Sequence, residues 1–308
     1  MSESLPTVSV VVATHNRPQL LRKALASILG QDYPGVVQVV LVFDRADPEY
    51  DLASDDPRRT VVVTTNTATP GLPGARNSGI ALTDGDWVAF CDDDDWWDPD
   101  KLARQLARLQ ASPAAIACCC GIVVHFGDEL TARVPHDDDL TVAALLRERV
   151  FAAHPSGYLI RRDLIVEGGA VGPVDEQIPG GYGEDHDLLL RIAKTGTIVA
   201  EPAPLVHVLW GATSYFQTKW QILADAMDYL TAKHPEFARD PIGLARLNGR
   251  KAFALAAMGR KAEARSLAIS VLKVNPKDLR AIATMAVATG AVRAETLLAQ
   301  AHKRGRGI

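Results

Sequence analysis

Short, continuously apolar segments alternate with amphipathic ones over residues 8–109 of the 308-residue chain. The apolar segments predict buried strands at Val8–Ala13, Val36–Phe43, Thr60–Thr65 and Trp87–Cys91. Between them, apolar side chains recur at helical spacing after Pro18, within Arg76–Leu82 and after Pro99, where Asp98 is a candidate N-cap. Strands alternating with helices in this way predict an α/β fold with a mostly parallel sheet, flanked on both faces by helices.

The alternation becomes less regular from residue 114. Ala114–Val124 predicts a further strand, Ser156–Ile160 predicts a strand leading into a helix, and Val206–Val208 predicts a short strand. Residues 168–183 are rich in glycine and proline and predict a loop. Glu184–Thr195 has apolar side chains at helical spacing, so a helix is expected directly after that loop.

The last part of the chain carries only helical patterns. Four amphipathic segments predict helices, at Tyr215–Lys233, Gly243–Met258, Lys261–Val274 and Leu279–Thr289. The spacing from Leu255 to Pro276 resembles one tetratricopeptide unit, although arrays of such units usually contain about three. We therefore expect two domains, an α/β domain over residues 1–214 and an α-helical C-terminal domain over residues 215–308.

Composition and charge exclude several classes of protein. The formal net charge of −4 gives no support to a nucleic-acid-binding protein, which usually shows a basic excess. Four cysteines, three of them consecutive at Cys118–Cys120, do not make a disulfide scaffold and predict a buried strand in a reducing compartment. The N-terminus lacks a secretory signal and no apolar run is long enough to span a membrane, so we expect a cytoplasmic protein without a transmembrane segment.

Four consecutive carboxylates, Asp92–Asp95, follow the predicted strand Trp87–Cys91. Like charges raise one another's pKa unless a cation neutralises them. Ligands of open α/β sheets bind beyond the carboxyl ends of the strands, and a divalent cation held by one or two carboxylates and phosphate oxygens is a common use of such a cluster. The alternative is an acidic turn in which Asp95 or Asp98 caps the next helix.

A second acidic pair, Glu184 and Asp185, begins the helix after the glycine-rich loop. One of these carboxylates is a candidate general base, although acidic residues also favour the first turn of any helix. Asp44 ends the second predicted strand and is placed to contact a ribose or a base. Arg76 follows a Pro/Gly loop at the start of a helix and is a candidate phosphate or base contact. For both Asp44 and Arg76 the alternative is an N-cap or surface role.

Six short motifs follow one another in a characteristic order. They are Val8–Arg17, Asp44, Gly74-Ala75-Arg76-Asn77 with Gly79, Asp92–Asp95 with Pro99 and Lys101-Leu102, Arg161-Arg162 with Gly168-Gly169, and Gly183-Glu184-Asp185-His186-Asp187-Leu188 with Arg191. In this order the motifs resemble those of inverting glycosyltransferases of family 2, which have the GT-A fold. The resemblance covers residues 7–215, about two thirds of the chain.

The resemblance implies a nucleotide-diphosphate sugar donor, an acceptor nucleophile on a glycan, a lipid-linked or a small molecule, and Mn²⁺ or Mg²⁺. It implies that Asp185 is the catalytic base, beside Glu184, and that Asp94 and Asp92 hold the metal ion, with His207 as a candidate third ligand. The positions implied to contact the donor are Ala13, His15, Asn16, Arg17, Asp44, Arg76, Asp92 and Asp93.

The sequence departs from the family pattern beside Asp44, at His15, and in the loop Ala170–Pro173, which is inserted after Gly169. Arg45 stands where members often carry a second aspartate, and His15 stands where tyrosine is frequent, so the bound base is not fixed. His207 is alternatively a packed histidine beside strand residues.

The sequence leaves three alternatives to a glycosyltransferase acting on a glycan, lipid-linked or small-molecule acceptor. A nucleotidyltransferase would usually carry a glycine-rich loop after the first strand, where this chain has none. The helical tail leaves open a protein or peptide acceptor, because paired-helix repeats form concave surfaces, and equally a homodimer or a protein partner. A non-catalytic scaffold that binds a nucleotide sugar is the third alternative.

Overall fold

The computed structural model describes residues 5–210 and 219–303, with side chains as far as residue 298. The chain divides into two units. The sheet unit comprises Met1–Leu145, Val150–Glu176 and Glu184–Trp210, and the helical unit comprises Leu146–Arg149, Gln177–Gly183 and Gly211–Ile308. The boundary predicted between residues 214 and 215 lies outside the described residues. Two short segments, 146–149 and 177–183, belong to the helical unit although the sequence pattern assigned them to the α/β domain.

The described strands form one nine-stranded sheet of order β3-β2-β1-β4-β8-β6-β9-β5, with β7 paired to β6 outside this path. The strands are β1 (Val8–Thr14), β2 (Val37–Phe43), β3 (Arg59–Thr65), β4 (Trp87–Phe90), β5 (Trp96–Trp97), β6 (Ala115–Phe126), β7 (Glu129–Arg133), β8 (Tyr158–Arg161) and β9 (Thr197–Leu209). Strands β1 to β4 are parallel, as expected. β8 runs antiparallel to both β4 and β6, so the sheet as a whole is mixed.

Six α-helices lie within residues 5–210 and five within residues 219–303. The first six are α1 (Pro18–Leu29), α2 (Leu72–Ile80), α3 (Lys101–Gln110), α4 (Val142–Arg147), α5 (Arg162–Ile165) and α6 (Glu184–Thr195). The other five are α7 (Trp220–Lys233), α8 (Pro241–Ala257), α9 (Lys261–Val274), α10 (Leu279–Thr289) and α11 (Ala294–Lys303). The expected fold class, an α/β sheet flanked by helices with a helical C-terminal region, is confirmed.

The core of the sheet unit follows from the apolar pattern. All seven residues of β2 are buried, because the strand lies inside the sheet and both of its faces are covered. Helix α1 buries Leu21, Ala24, Leu25 and Ile28, which share one face at helical spacing. The three consecutive cysteines are buried in β6, as predicted.

Three local predictions were wrong. Helix α3 begins at Lys101, and Asp98 does not cap it because its carboxylate contacts His207. Helix α2 begins at Leu72 and includes Pro73 and Gly74, which had suggested a loop. Strand β9 extends over 13 residues, whereas only Val206–Val208 was predicted. The prolines at 202 and 204 interrupt the strand pattern, so the rest of β9 was not predicted. The register of β9 with β6 shifts at these prolines, and a strand tolerates a missing N–H donor at such an irregularity.

Small side chains fill one cluster of the helical unit's core. Ala252 on α8, Ala268 on α9 and Ala281 on α10 are each fully buried in one cluster with Val271. Alanine at these positions allows the three helix backbones to approach closely. Among the described residues, no helix combines the length and apolarity required to cross a bilayer.

Candidate active site

The candidate site lies where the parallel strands β1, β2 and β4 end. Asn16, two residues after β1, and Arg45, two residues after β2, have φ values of 55° and 49°. Left-handed backbone is costly for residues other than glycine, and such conformations cluster at functional sites. The carboxylates Asp92–Asp95 follow β4, the strand next to β1, so the sheet topology brings them beside residues 14–17.

Asp93 and Asp94 contact the segment after β1. Asp93 is buried and accepts hydrogen bonds from the Thr14 hydroxyl at 2.8 Å and the His15 amide at 3.4 Å. Arg17 Nη1 lies 3.1 Å from Asp93 Oδ1 and 2.6 Å from Asp94 Oδ2. The Arg17 side chain is half exposed, so this cation sits at the solvent edge of the cluster.

A buried arginine joins the two acidic segments that the sequence singled out. Arg76, on α2, is 3% exposed. Its Nη2 donates to Asp92 at 2.7 Å and its Nη1 donates to Glu184 at 2.9 Å. The cluster after β4 and the first turn of α6 therefore belong to one site, and Arg76 neutralises part of its charge.

The Asp95 side chain contacts the segment just before β8. Its carboxylate accepts a hydrogen bond from Ser156 Oγ, and the same hydroxyl accepts from the Asp92 amide at 3.0 Å. His154 Nδ1 lies 3.4 Å from Asp95 Oδ2. Asp92, Asp95 and His154 each offer a ligand atom, and these atoms lie within 4.8 Å of one another.

Crowding of carboxylates perturbs their protonation. Burial raises the pKa of Asp94 to about 6, the charge of Asp92 adds to the shift, and Arg17 opposes it. Burial and the charge of Asp92 also raise the pKa of Asp95 well above its usual range. The positive charges of Arg17 and Arg76 therefore do not balance the negative charges of Asp92–Asp95. A bound divalent cation would supply the missing positive charge.

The donor set fits a hard or borderline divalent cation, because it offers carboxylate oxygens and one imidazole nitrogen. The sequence pointed to Asp92 and Asp94 as metal ligands. The structure groups Asp92 with Asp95 and His154, and Asp94 with Arg17. His154 is an isolated histidine shortly before β8, so no local sequence pattern marked it as a candidate ligand. Asp95 was part of the acidic run Asp92–Asp95.

His207 lies outside that group of three. Its ring stacks on Trp96 at 5.0 Å, Nε2 lies 3.0 Å from Asp98 Oδ1, and Nδ1 lies 2.8 Å from His125 Nε2. Both ring nitrogens thus have protein partners. Metal ligation by His207 stays a prediction, and it requires one of these two contacts to break.

Helix α6 carries the candidate base. Asp185 is 9% exposed, and its Oδ1 accepts a hydrogen bond from the His186 amide at 2.8 Å. On the same helix, Asp187 is fully buried and pairs with Arg191 at 2.8 Å. Arg191 also donates to the backbone carbonyls of residues 171–173, so it fixes the preceding loop to the helix rather than facing solvent.

Asp44 organises the ends of β2 and β3. Its Oδ1 accepts hydrogen bonds from Asn66 Nδ2 at 2.8 Å and from the Gly71 amide at 3.1 Å. Burial alone raises the pKa of Asp44, but these bonds and the neighbouring Arg45 outweigh it and hold the pKa below its usual value. His15 Nδ1 lies 2.7 Å from the Asp44 carbonyl oxygen, so the predicted base-contacting residues are adjacent.

The remaining predicted donor contacts surround this pair. Ala13 is half-buried at the end of β1, and Asn16 and Arg17 are exposed beside it. The predicted positions after β1, β2 and β4 thus lie along one edge of the sheet, with Arg76 buried beneath them.

A mixed α/β sheet with clustered carboxylates beyond its parallel strands is the architecture of GT-A glycosyltransferases. The sequence matches the profile of the family Glycosyl transferase family 2 over residues 9–168, more than half of the chain. The chain therefore belongs to this family, as its motifs indicated.

Curated relatives agree with this assignment. Succinoglycan biosynthesis protein ExoO of Rhizobium meliloti is 32% identical over 69% of this chain and 64% of its own length. The putative colanic acid biosynthesis glycosyl transferase WcaA of Escherichia coli is 34% identical over 34% of this chain and 38% of its own. The chain thus aligns with less than two thirds of the length of each of these two relatives.

Solved structures show the same fold. TarS residues 1–349 of S. aureus in complex with UDP-GlcNAc superposes with a TM-score of 0.60 and 15% identity, covering 97% of this chain and 92% of that one. Mannosyltransferase PcManGT of Pyrobaculum calidifontis, in complex with GDP-Man and Mn²⁺, gives a TM-score of 0.55 and 21% identity, with 94% and 82% covered.

Proposed function

We propose that the chain is a metal-dependent inverting glycosyltransferase, which moves a sugar from a nucleotide-diphosphate donor to a hydroxyl group of an acceptor. One observation carries the proposal. Arg76 contacts both Asp92 and Glu184, so the carboxylates after β4 and the acidic start of α6 belong to one site. The reaction requires both functions together, an anchor for the diphosphate and a base for the acceptor.

Asp185 is the base in this proposal. Its carboxylate takes the proton of the acceptor hydroxyl while that oxygen attacks the anomeric carbon, and the bond from this carbon to the diphosphate oxygen breaks. A single displacement from the opposite face inverts the anomeric centre. The Arg76 ion pair holds the neighbouring Glu184 in place, which fixes the first turn of α6.

The carboxylates beyond β4 would hold a divalent cation. A divalent ion such as Mn²⁺ or Mg²⁺, when bound, supplies charge that neutralises the departing diphosphate. Asp92 and Asp94 are the proposed ligands, and the grouping of Asp92 with Asp95 and His154 supports a set that includes these two as well. The Mn²⁺ named with the PcManGT structure supports the same class of ion.

The nucleotide is proposed to lie along the ends of β1 and β2. Ala13 and His15 flank the base, Asp44 lies next to His15, and Asn16 and Arg17 extend towards the diphosphate. Asp93, fixed by Thr14 and Arg17, positions this segment. Relatives named for succinoglycan and colanic acid biosynthesis support a saccharide hydroxyl as the acceptor.

Donor turnover with Mn²⁺ tests the proposal. We expect release of nucleoside diphosphate from a panel of nucleotide sugars, loss of turnover on chelation, and a decrease of at least about 100-fold in Asp94→Asn and Asp185→Asn. Asp94→Asn should weaken metal-dependent binding of the nucleoside diphosphate, whereas Asp185→Asn should retain it. The product anomer, determined by NMR, should be inverted.

Asp128→Asn is the matched control, because Asp128 is an exposed carboxylate in the turn between β6 and β7 and the substitution is the same. It should leave turnover unchanged. Full turnover in both Asp94→Asn and Asp185→Asn contradicts the assigned roles. Binding of a nucleotide sugar with no turnover on any saccharide acceptor favours a scaffold that only binds.

A further inference from the structure

Three arginines of the helical unit lie close together. Arg246 and Arg250 are four residues apart on α8 and therefore share one face of that helix. Arg280 is in the first turn of α10. The two helices approach closely at Gly249, where a Cβ atom would lie 3.9 Å from Arg280 Cβ and 3.5 Å from Asp278 Oδ1.

Arg246 Nε donates to the Leu146 carbonyl oxygen at 3.2 Å, but Arg250 and Arg280 each hold a buried donor without an acceptor among the described residues. Arg250 is 7% exposed, and its Nη1 donates to the Tyr182 hydroxyl at 2.9 Å. The Nε atoms of Arg250 and Arg280 are both buried, and neither has a hydrogen-bond partner among the residues that the structure describes. Buried donors are nearly always satisfied in folded proteins, so two in neighbouring guanidinium groups require an explanation.

The charges of these arginines also repel one another. Burial lowers the pKa of Arg246 to about 9, and the charges of Arg250, Arg149 and Arg280 add to this, with Glu148 opposing. Burial and Arg250 lower the pKa of Arg280 as well, with Asp278 opposing. The Asp278 carboxylate also accepts from the Ala281 amide as a helix cap, so it is shared between two tasks.

Guanidinium groups are planar forks that match the oxygen atoms of phosphate, and several arginines around one point are typical of phosphate recognition. A carboxylate offers two oxygens, whereas a phosphate group offers three or four and a higher charge. We propose that Arg246, Arg250 and Arg280 form a binding site for a phosphate oxyanion within the helical unit. The proposal uses residues of that unit alone and holds whether or not the proposed glycosyl transfer is correct.

Isothermal titration calorimetry of the 308-residue chain with inorganic phosphate tests this site. The buffer contains EDTA and has constant ionic strength, so that no metal draws phosphate to the carboxylates after β4. We expect saturable binding by the wild type and a decrease in affinity of at least about tenfold in Arg250→Gln and in Arg280→Gln, since each removes charge-assisted hydrogen bonds. Circular dichroism establishes that each variant is folded, and Arg280, which is partly exposed, provides the test if Arg250→Gln does not fold.

Arg265→Gln is the control, because it removes an exposed arginine from α9 of the same unit. Equal phosphate affinity in all three variants, or no binding by the wild type, overturns the proposal. A parallel titration with an alkyl phosphate monoester distinguishes the source of the ligand. If the monoester binds as tightly as inorganic phosphate, the natural ligand is a phosphate group carried by a larger molecule. If the monoester does not bind, the ligand is the free phosphate ion.

Discussion

Replacement of Arg76 by methionine is the most direct test of how the site is held together. Methionine fills a similar volume but cannot pair with a carboxylate. Asp92 and Glu184 then lose the cation that lies 2.7 Å and 2.9 Å from them. The Glu184 side chain is only 9% exposed, so water cannot replace its lost partner.

The expected loss is large because one partner of a buried ion pair is removed and the other stays. Breaking such a pair costs about 3–5 kcal/mol. For a domain of this size, each kcal/mol lowers the melting temperature by about 2–4 °C, so we expect a decrease of about 6–20 °C. The double variant Arg76→Met/Glu184→Gln should recover part of this loss, since the neutral amide is less costly to bury.

Arg22 on α1 offers a matched control. It also bridges two carboxylates, Glu49 at 2.6 Å and Asp51 at 3.3 Å, but its side chain is half exposed. Arg22→Met should therefore cost about 0–1 kcal/mol. Melting temperatures measured by calorimetry in metal-free buffer compare the two. Equal, small decreases in Arg76→Met and Arg22→Met would refute the inference that burial makes the Arg76 bridge strong.

Two further substitutions probe the elements around the site. Asp44→Asn should be less stable than the wild type near neutral pH, and urea unfolding should show this difference shrinking as the pH falls below about 4 and through the lowered folded-state pKa, because the stabilisation is complete above the unfolded value and is lost as the folded carboxylate is protonated; a pH-independent difference contradicts this. Asn77 exchanges two hydrogen bonds of 2.8 Å with the backbone of Val174 and donates to Glu176. Asn77→Ala should cost about 1–3 kcal/mol and speed hydrogen exchange of the Val174 amide; unchanged exchange at Val174 shows that another contact holds this loop.

The sequence was sufficient for the parallel half of the sheet. β1, β2 and β3 are rich in β-branched residues, and their predicted bounds differ from the observed ones by one residue. β5 and most of β9 were missed for physical reasons. A strand of two residues has no periodicity, and the prolines of β9 interrupt the pattern that strands usually show.

The residues of the site were easier to find than their partners. The run Asp92–Asp95 and the pair Glu184-Asp185 were visible as unusual local charge. Their connection through Arg76 was not, because Arg76 and Glu184 are 108 residues apart in the chain. His154 is similar, since its proximity to Asp95 depends on β8 pairing beside β4 rather than on any local pattern.

Arg76 and Arg17 differ in the free energy that is lost when their ion pairs with carboxylates break. Arg76 is buried, so its contact with Asp92 is costly to break and is expected to persist when a ligand binds. Arg17 is half exposed, and an ion pair at such a position contributes only about 0–1 kcal/mol. A cation that binds Asp94 can therefore displace Arg17 from this carboxylate at little cost, and the guanidinium, which still lies 3.1 Å from Asp93, then has a donor available for a phosphate oxygen. In the proposed function, Arg76 keeps the carboxylates in place, while Arg17 moves from Asp94 to a phosphate oxygen of the donor.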